Sequence, residues 1–234
     1  MRPQALARAL VSGALDLEAF ALPQRCPGCG QPAEPERLLC GLCFERVPAL
    51  SFALCVRCLV RGEEPVGCSR HPQAVVWPAL VYDERAALLV HALKYGGRPG
   101  LTEALAERLA RAVPAGLGVD LVTGVPLHPA RQRERGYNQA WRLALGLAGR
   151  LGVPAVEDVL ARVRHTPAQA RLDPGRRRRN LKGAFRVVEP QRYRGRRVLI
   201  VDDVLTTGAT LEACLETLAG AGARPVGAVL AWAQ

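Results

Sequence analysis

Apolar positions along most of the chain alternate between short unbroken runs and stretches with helical periodicity. Val75–Tyr82 reads as a buried strand, as do Val198–Val201 and Val226–Ala231, and Leu121–Pro126 is a shorter one that leads into a Pro/His turn. Helical periodicity fills the intervals: Asp83–Tyr95, ended by Gly96-Gly97; Thr102–Ala112, capped by Thr102; Asn138–Leu151; and Leu211–Ala221. Strands that alternate with helices predict a parallel sheet flanked by helices, with ligands at the carboxyl ends of the strands. Ahead of this region the pattern differs. Leu6, Leu10, Gly13, Ala14 and Leu17 share one helical face, so residues 1–24 are expected to form an amphipathic helix. Residues 25–74 show neither period. The expected organisation is therefore a helix over 1–24, a cysteine-rich module over 25–74 and an α/β domain over 75–234.

Composition narrows the setting. Hydrophobic residues make up 49% of the chain and charged residues 23%, the balance of an ordinary globular protein. No apolar run approaches the ~20 residues of a membrane span. The N-terminal stretch carries Arg8, Asp16 and Glu18 and lacks a cleavage site of signal-peptide type, so a cytoplasmic location is expected. The net charge of +11 is concentrated: between Leu160 and Arg197 there are 13 Lys/Arg and 2 Asp/Glu. A localised basic segment implies an anionic partner more strongly than a diffuse excess does.

The densest chemistry lies in Val198–Thr210, VLIVDDVLTTGAT. Here a buried strand delivers two carboxylates, Asp202 and Asp203, to its end. A hydroxyl-rich turn, Thr206-Thr207-Gly208-Ala209-Thr210, then opens a helix. Helix starts leave N–H groups unpaired and favour anions, and Gly208 allows a tight turn. A sugar phosphate needs both parts: carboxylates that accept from a vicinal diol, and donors that hold a phosphate. A plain capped helix does not account for two neighbouring acids. A nucleotide hydrolase would need a GxxxxGK[ST] loop, which the chain lacks.

Seven of the eight cysteines fall between positions 26 and 68. Cys26 and Cys29, Cys40 and Cys43, and Cys55 and Cys58 form three CxxC knuckles; Cys68 is followed three residues later by His71. Two knuckles complete a tetrahedral zinc site, so two successive zinc ribbons are expected: Cys26, Cys29, Cys40 and Cys43, then Cys55, Cys58, Cys68 and His71. Disulfides are the competing reading and suit a cytoplasmic chain poorly. A module of this size has little core of its own, so metal is expected to supply its folding energy. Cys214 reads as a small core residue.

Two further loops can reach the same cleft. Pro126, Leu127, His128, Arg131 and Arg135 follow a strand and can offer N–H groups and guanidinium groups to a pyrophosphate. The segment Arg162–Phe185 lacks apolar periodicity and reads as a mobile loop; Arg164, Gln169, Arg177, Arg178, Arg179 and Lys182 are its candidate contacts. The same arginines suit nucleic-acid phosphates. Lys94, at the end of a predicted helix, is a candidate cleft residue or a simple helix-end charge.

The stretch VLIVDDVLTTGAT resembles the phosphoribosyl pyrophosphate (PRPP) motif of type I phosphoribosyltransferases. With HALKYGGR at His91–Arg98, VPLHPARQRERGYNQA at Val125–Ala140 and RRRRNLKGAF at Arg176–Phe185, nearly the whole chain resembles the ComF family, associated with bacterial competence. The resemblance implies a type I phosphoribosyltransferase fold behind a zinc-binding segment. It also implies PRPP with Mg2+ as ligand, Asp202 and Asp203 on the ribose hydroxyls, and Thr206–Thr210 on the 5-phosphate. A role in DNA uptake is implied too, with single-stranded DNA and DNA-uptake or recombination proteins as partners. His71 departs from the all-cysteine pattern usual in such segments. Three readings follow: a transferase with an unidentified acceptor, a PRPP-sensing regulator, and a DNA-associated adaptor. Aromatics total only 5%, which weighs against strong stacking of single strands. No segment forms an evident base pocket. The chain begins Met-Arg-Pro, without the N-terminal cysteine of glutamine hydrolysis.

Overall fold

The computed structural model describes residues 25–33, 38–61, 68–95, 99–164 and 174–234. The helix expected over 1–24 lies outside them. Two helices, α1 (Gly41–Glu45) and α2 (Glu84–Tyr95), flank the first strands, β1 (Leu54–Cys55) and β2 (Val75–Val81). Then come α3 (Pro99–Ala112), β3 (Leu121–Gly124), α4 (Pro129–Arg135), α5 (Gln139–Leu151) and β4 (Leu160–Arg162). The chain ends with α6 (Pro174–Leu181), β5 (Phe185–Val187), β6 (Arg197–Leu205), α7 (Ala209–Gly220) and β7 (Arg224–Trp232). The main sheet has the order β1-β2-β7-β6-β3; β2, β7, β6 and β3 run parallel, and β1 joins the β2 edge antiparallel. β4 and β5 form a separate antiparallel ribbon.

Both faces of the sheet are covered, which is why its strands are apolar on successive positions rather than alternate ones. Leu199 and Val201 of β6 face the cluster built by Leu89 and Leu93 of α2, Leu105 of α3, and Leu143 and Leu147 of α5. Val198 and Ile200 face the opposite cluster, with Leu211, Leu215 and Leu218 of α7 and Phe185 and Val187 of the ribbon.

Several boundaries differ from the sequence expectation. β6 runs on through Asp202 and Asp203 to Leu205, because β7 pairs with it as far as Leu205↔Trp232. α3 begins at Pro99, where the missing N–H of proline costs nothing, so Thr102 is buried inside the helix instead of capping it. The segment Arg162–Phe185, expected as a mobile loop, runs between β4 and β5 and, among its described residues, holds α6, with Leu181 buried. The cysteine-rich segment is also less separate than expected. Leu39, Cys43 and Val47 are buried in the α2/α3 cluster, while Leu54 and Val56 are buried in the α7 cluster, so the segment wraps the β2 edge and shares both cores.

Gly124 ends β3 where α5 crosses it. A Cβ there would meet Trp141 N at 2.6 Å and the Ala140 carbonyl carbon at 2.7 Å, so only glycine lets the helix approach this closely. Gly124→Ala is expected to destabilise the chain by about 1–3 kcal/mol. A urea midpoint unchanged from wild type would contradict this packing.

Candidate functional site

β3 stops at the Gly124↔Val201 pair, and Val125 N donates to Val201 O at 2.8 Å. Past that point β6 is paired only by β7, and its open edge carries the two acids. Successive strand residues point to opposite faces, so the carboxylates diverge. Asp203 turns towards α2 and α5. It is 6% exposed; Lys94 Nζ lies 2.9 Å from its Oδ2, and Gln139 Nε2 donates to that oxygen at 3.1 Å. Arg135 in turn donates to Gln139 Oε1 and lies over the Tyr95 ring at 5.3 Å.

Asp202, half-buried, faces the α7 and ribbon side. Burial, and next the charge of Asp203, push its carboxyl up to about 8, against the opposing pull of the Asp203 N–H and Lys94. Burial lowers the Arg162 guanidinium, the nearby charge of Arg131 adds to this, and Asp202 opposes it. Arg162, Arg131 and Asp202 therefore share one electrostatic neighbourhood.

The turn after β6 has the geometry of an anion cradle. Gly208 takes φ +75° at the helix N-cap, and the first helical bond runs from Glu212 N to Gly208 O at 2.8 Å. Among the described residues no acceptor takes the N–H groups of Thr206, Thr207, Gly208, Ala209, Thr210 or Leu211. Six donors at the start of a 12-residue helix could hold an anion, and the two carboxylates just before them could accept from hydroxyls.

The Pro126-Leu127-His128 turn follows directly from β3, alongside the open edge of β6. His128 caps α4: its Nδ1 accepts from Ala130 N at 3.2 Å, and its carbonyl accepts from Arg131 N and Gln132 N. Asn138 caps α5 by accepting from Ala140 N and Trp141 N, and its Nδ2 donates to Val125 O at 3.0 Å. These two caps brace the turn and set Gln139 against Asp203.

The candidates of the basic segment fall at different places. Arg164 donates to Lys182 O at 3.1 Å across the base of the ribbon. Arg178 pairs with Glu212 Oε2, 2.7 Å distant, and donates to Thr207 O in the turn after β6 at 3.2 Å. Arg179 and Lys182 are exposed. Gln169 lies outside the described residues, as does the side chain of Arg177. Three residues at the acids carried weaker signals in the sequence: Lys94, Gln139 and Arg162. Gln139 stands in the GYNQ run, whose regularity was the available clue.

Both expected ligand sets assemble. Cys26, Cys29, Cys40 and Cys43 form one group and Cys55, Cys58, Cys68 and His71 the other, with all ligand atoms of each within 4.8 Å of one another. A tetrahedral ion at ~2.3 Å from sulfur needs ligand separations of about 3.8 Å. Cys29 and Cys40 Sγ are 3.6 Å apart, and His71 Nδ1 lies 3.3, 3.7 and 3.8 Å from the sulfurs of Cys58, Cys55 and Cys68. Each group could hold a metal ion, and its donors and spacing fit zinc.

Comparison with known proteins agrees with this architecture. The phosphoribosyl transferase domain model matches residues 139–234. The DNA utilization protein YhgH of Salmonella typhimurium is 34% identical over 211 residues, 86% of this chain and 80% of that protein. Competence protein F of Haemophilus influenzae is 33% identical over 189 residues, covering 74% of this chain and 80% of its own. Among solved structures, the glutamine PRPP amidotransferase of B. subtilis complexed with ADP and GMP aligns at TM-score 0.39 and 24% identity, over 60% of this chain and 30% of that one. The phosphoribosyl transferase domain match and the mostly parallel sheet flanked by helices give the fold of a type I phosphoribosyltransferase.

The folded chain keeps the Asp202 proton up to about pH 8, whereas an unfolded aspartate releases it near pH ~4. Between those values the folded state binds more protons, so stability falls as pH rises. Asp202→Asn should flatten that slope, with its thermal midpoint gaining more on wild type at pH 8 than at pH 5; parallel profiles would refute the assignment. Metal analysis should return about two zinc ions per chain and about one for Cys58→Ser. Retention of both ions by that variant would remove the second site.

Proposed function

The chain belongs to the ComF family, that of competence protein F and YhgH, and from that premise we propose that it is a PRPP-binding, phosphoribosyltransferase-like protein that supports DNA uptake. The observation that supports this most is the run of unpartnered N–H groups from Thr206 to Leu211 beside Asp202 and Asp203. In this reading the N–H groups and hydroxyls of Thr206–Thr210 hold the 5-phosphate. Asp202 and Asp203 accept from the 2- and 3-hydroxyls of the ribose. Lys94 and Gln139 fix the orientation of Asp203 by occupying one of its oxygens. The Pro126–His128 turn, with Arg131 and Arg135, faces the diphosphate end. Mg2+ bound with PRPP neutralises the charge of the diphosphate leaving group.

The acceptor side is what separates a transferase from a sensor. A screen for pyrophosphate release from PRPP against nucleobases and amines distinguishes them. Binding itself is tested by calorimetry with PRPP and Mg2+. Asp203→Asn should weaken affinity at least tenfold, because it removes a charged acceptor and strands Lys94. An unchanged affinity would overturn the ribose assignment.

A nucleic-acid partner is the complementary reading. It draws on the relatives' names and on the excess of basic residues between Leu160 and Arg197, where Arg179 and Lys182 are exposed. Affinity for single-stranded DNA should fall as salt rises, as phosphate contacts require. Absence of binding at low salt would sink this reading.

A further inference from the structure

The outer side of the phosphate loop is built by the second cysteine cluster. A Cβ on Gly208 would sit 2.2 Å from the carbonyl oxygen of Val56, inside the Cys55–Cys58 knuckle, so loop and knuckle touch through main chain. Beside this contact lies Glu212, in the first turn of α7 and only 6% exposed. It pairs with Arg57 of the knuckle at 3.0 Å and with Arg178 of α6 at 2.7 Å. Arg178 goes further: its Nη2 donates to Arg57 O at 2.8 Å and to Thr207 O at 3.2 Å. One guanidinium thus joins the knuckle, the helix and the phosphate loop. Val56 is also buried against α7, and an open pocket of about 220 Å3 lined by Val56, His71, Leu215 and Ala219 lies alongside. The two arginines on buried Glu212 and the Val56–Gly208 contact add a polar link between knuckle and loop.

We propose that the second metal site is linked energetically to the phosphate loop through Arg57, Glu212 and Arg178, which makes Glu212 and Arg178 positioning residues for the anion bound there. This rests on the PRPP reading above and deepens it. A CxxC knuckle keeps its backbone shape through its two metal bonds, so the position of the Val56 and Arg57 carbonyls depends on the ion. Loss of the ion releases both carbonyls, and with them the Arg178 bridge to Thr207. Coupling of this kind is reciprocal: the factor by which metal tightens PRPP binding is the factor by which PRPP tightens metal binding.

The test uses the full zinc-loaded chain, with calorimetry against PRPP and Mg2+ and the rate of zinc transfer to a chromogenic chelator. In wild type, PRPP should slow the release of one zinc of the two about tenfold and leave the other unchanged. Cys58→Ser should bind PRPP at least tenfold more weakly. Arg178→Met, which keeps all eight metal ligands, should lose a similar factor in PRPP affinity and abolish the PRPP effect on zinc release. Wild-type affinity in Arg178→Met, or equal zinc release with and without PRPP in wild type, overturns the link while the PRPP reading stands. A wild-type chain that binds no PRPP overturns that reading and the link together.

Discussion

Unequal strand lengths at one edge of the sheet make the candidate site. β3 ends opposite Val201, but β7 keeps β6 in the ladder to Leu205. The overhang holds Asp202 and Asp203 rigidly in extended backbone while leaving one edge open. Into that opening come the Pro126–His128 turn and the start of α5, which approaches so closely because position 124 has no side chain. Everything else at the site is arranged around this overhang. The Thr206–Thr210 turn follows it directly, and Lys94 and Gln139 converge on it from two helices.

The same geometry explains how two adjacent acids are tolerated. Strand alternation sends them to opposite faces, so each meets a different environment. Asp203 is buried but compensated by Lys94 and Gln139. Asp202 accepts from the Asp203 N–H at 2.9 Å, and burial favours its protonated form.

The sequence revealed the elements whose signals are local. Four parallel strands, the acids, the hydroxyl turn and both ligand sets could be read from apolar runs and short spacings. What it concealed depends on contacts far along the chain. The end of β6 was hidden because two aspartates are poor strand residues, and only pairing with β7 keeps them extended. The helix Pro174–Leu181 was hidden by an arginine run without periodicity; Leu181 burial and the Arg178–Glu212 pair stabilise it. Gln139 stands 64 residues from Asp203, and no spacing rule connects them. The cysteine segment was read as an independent metal-built module, yet Leu39, Val47, Leu54 and Val56 sit in the cores of the main sheet. Hydrophobic burial therefore contributes to the folding of this segment.

The most direct test of PRPP recognition is a crystal structure of the zinc-loaded chain with PRPP and Mg2+. The expected result places the 5-phosphate within hydrogen-bond distance of the N–H groups of Thr206 to Thr210, with the ribose 2- and 3-hydroxyls on Asp202 and Asp203. A bound PRPP that leaves those N–H groups and both carboxylates untouched would contradict it.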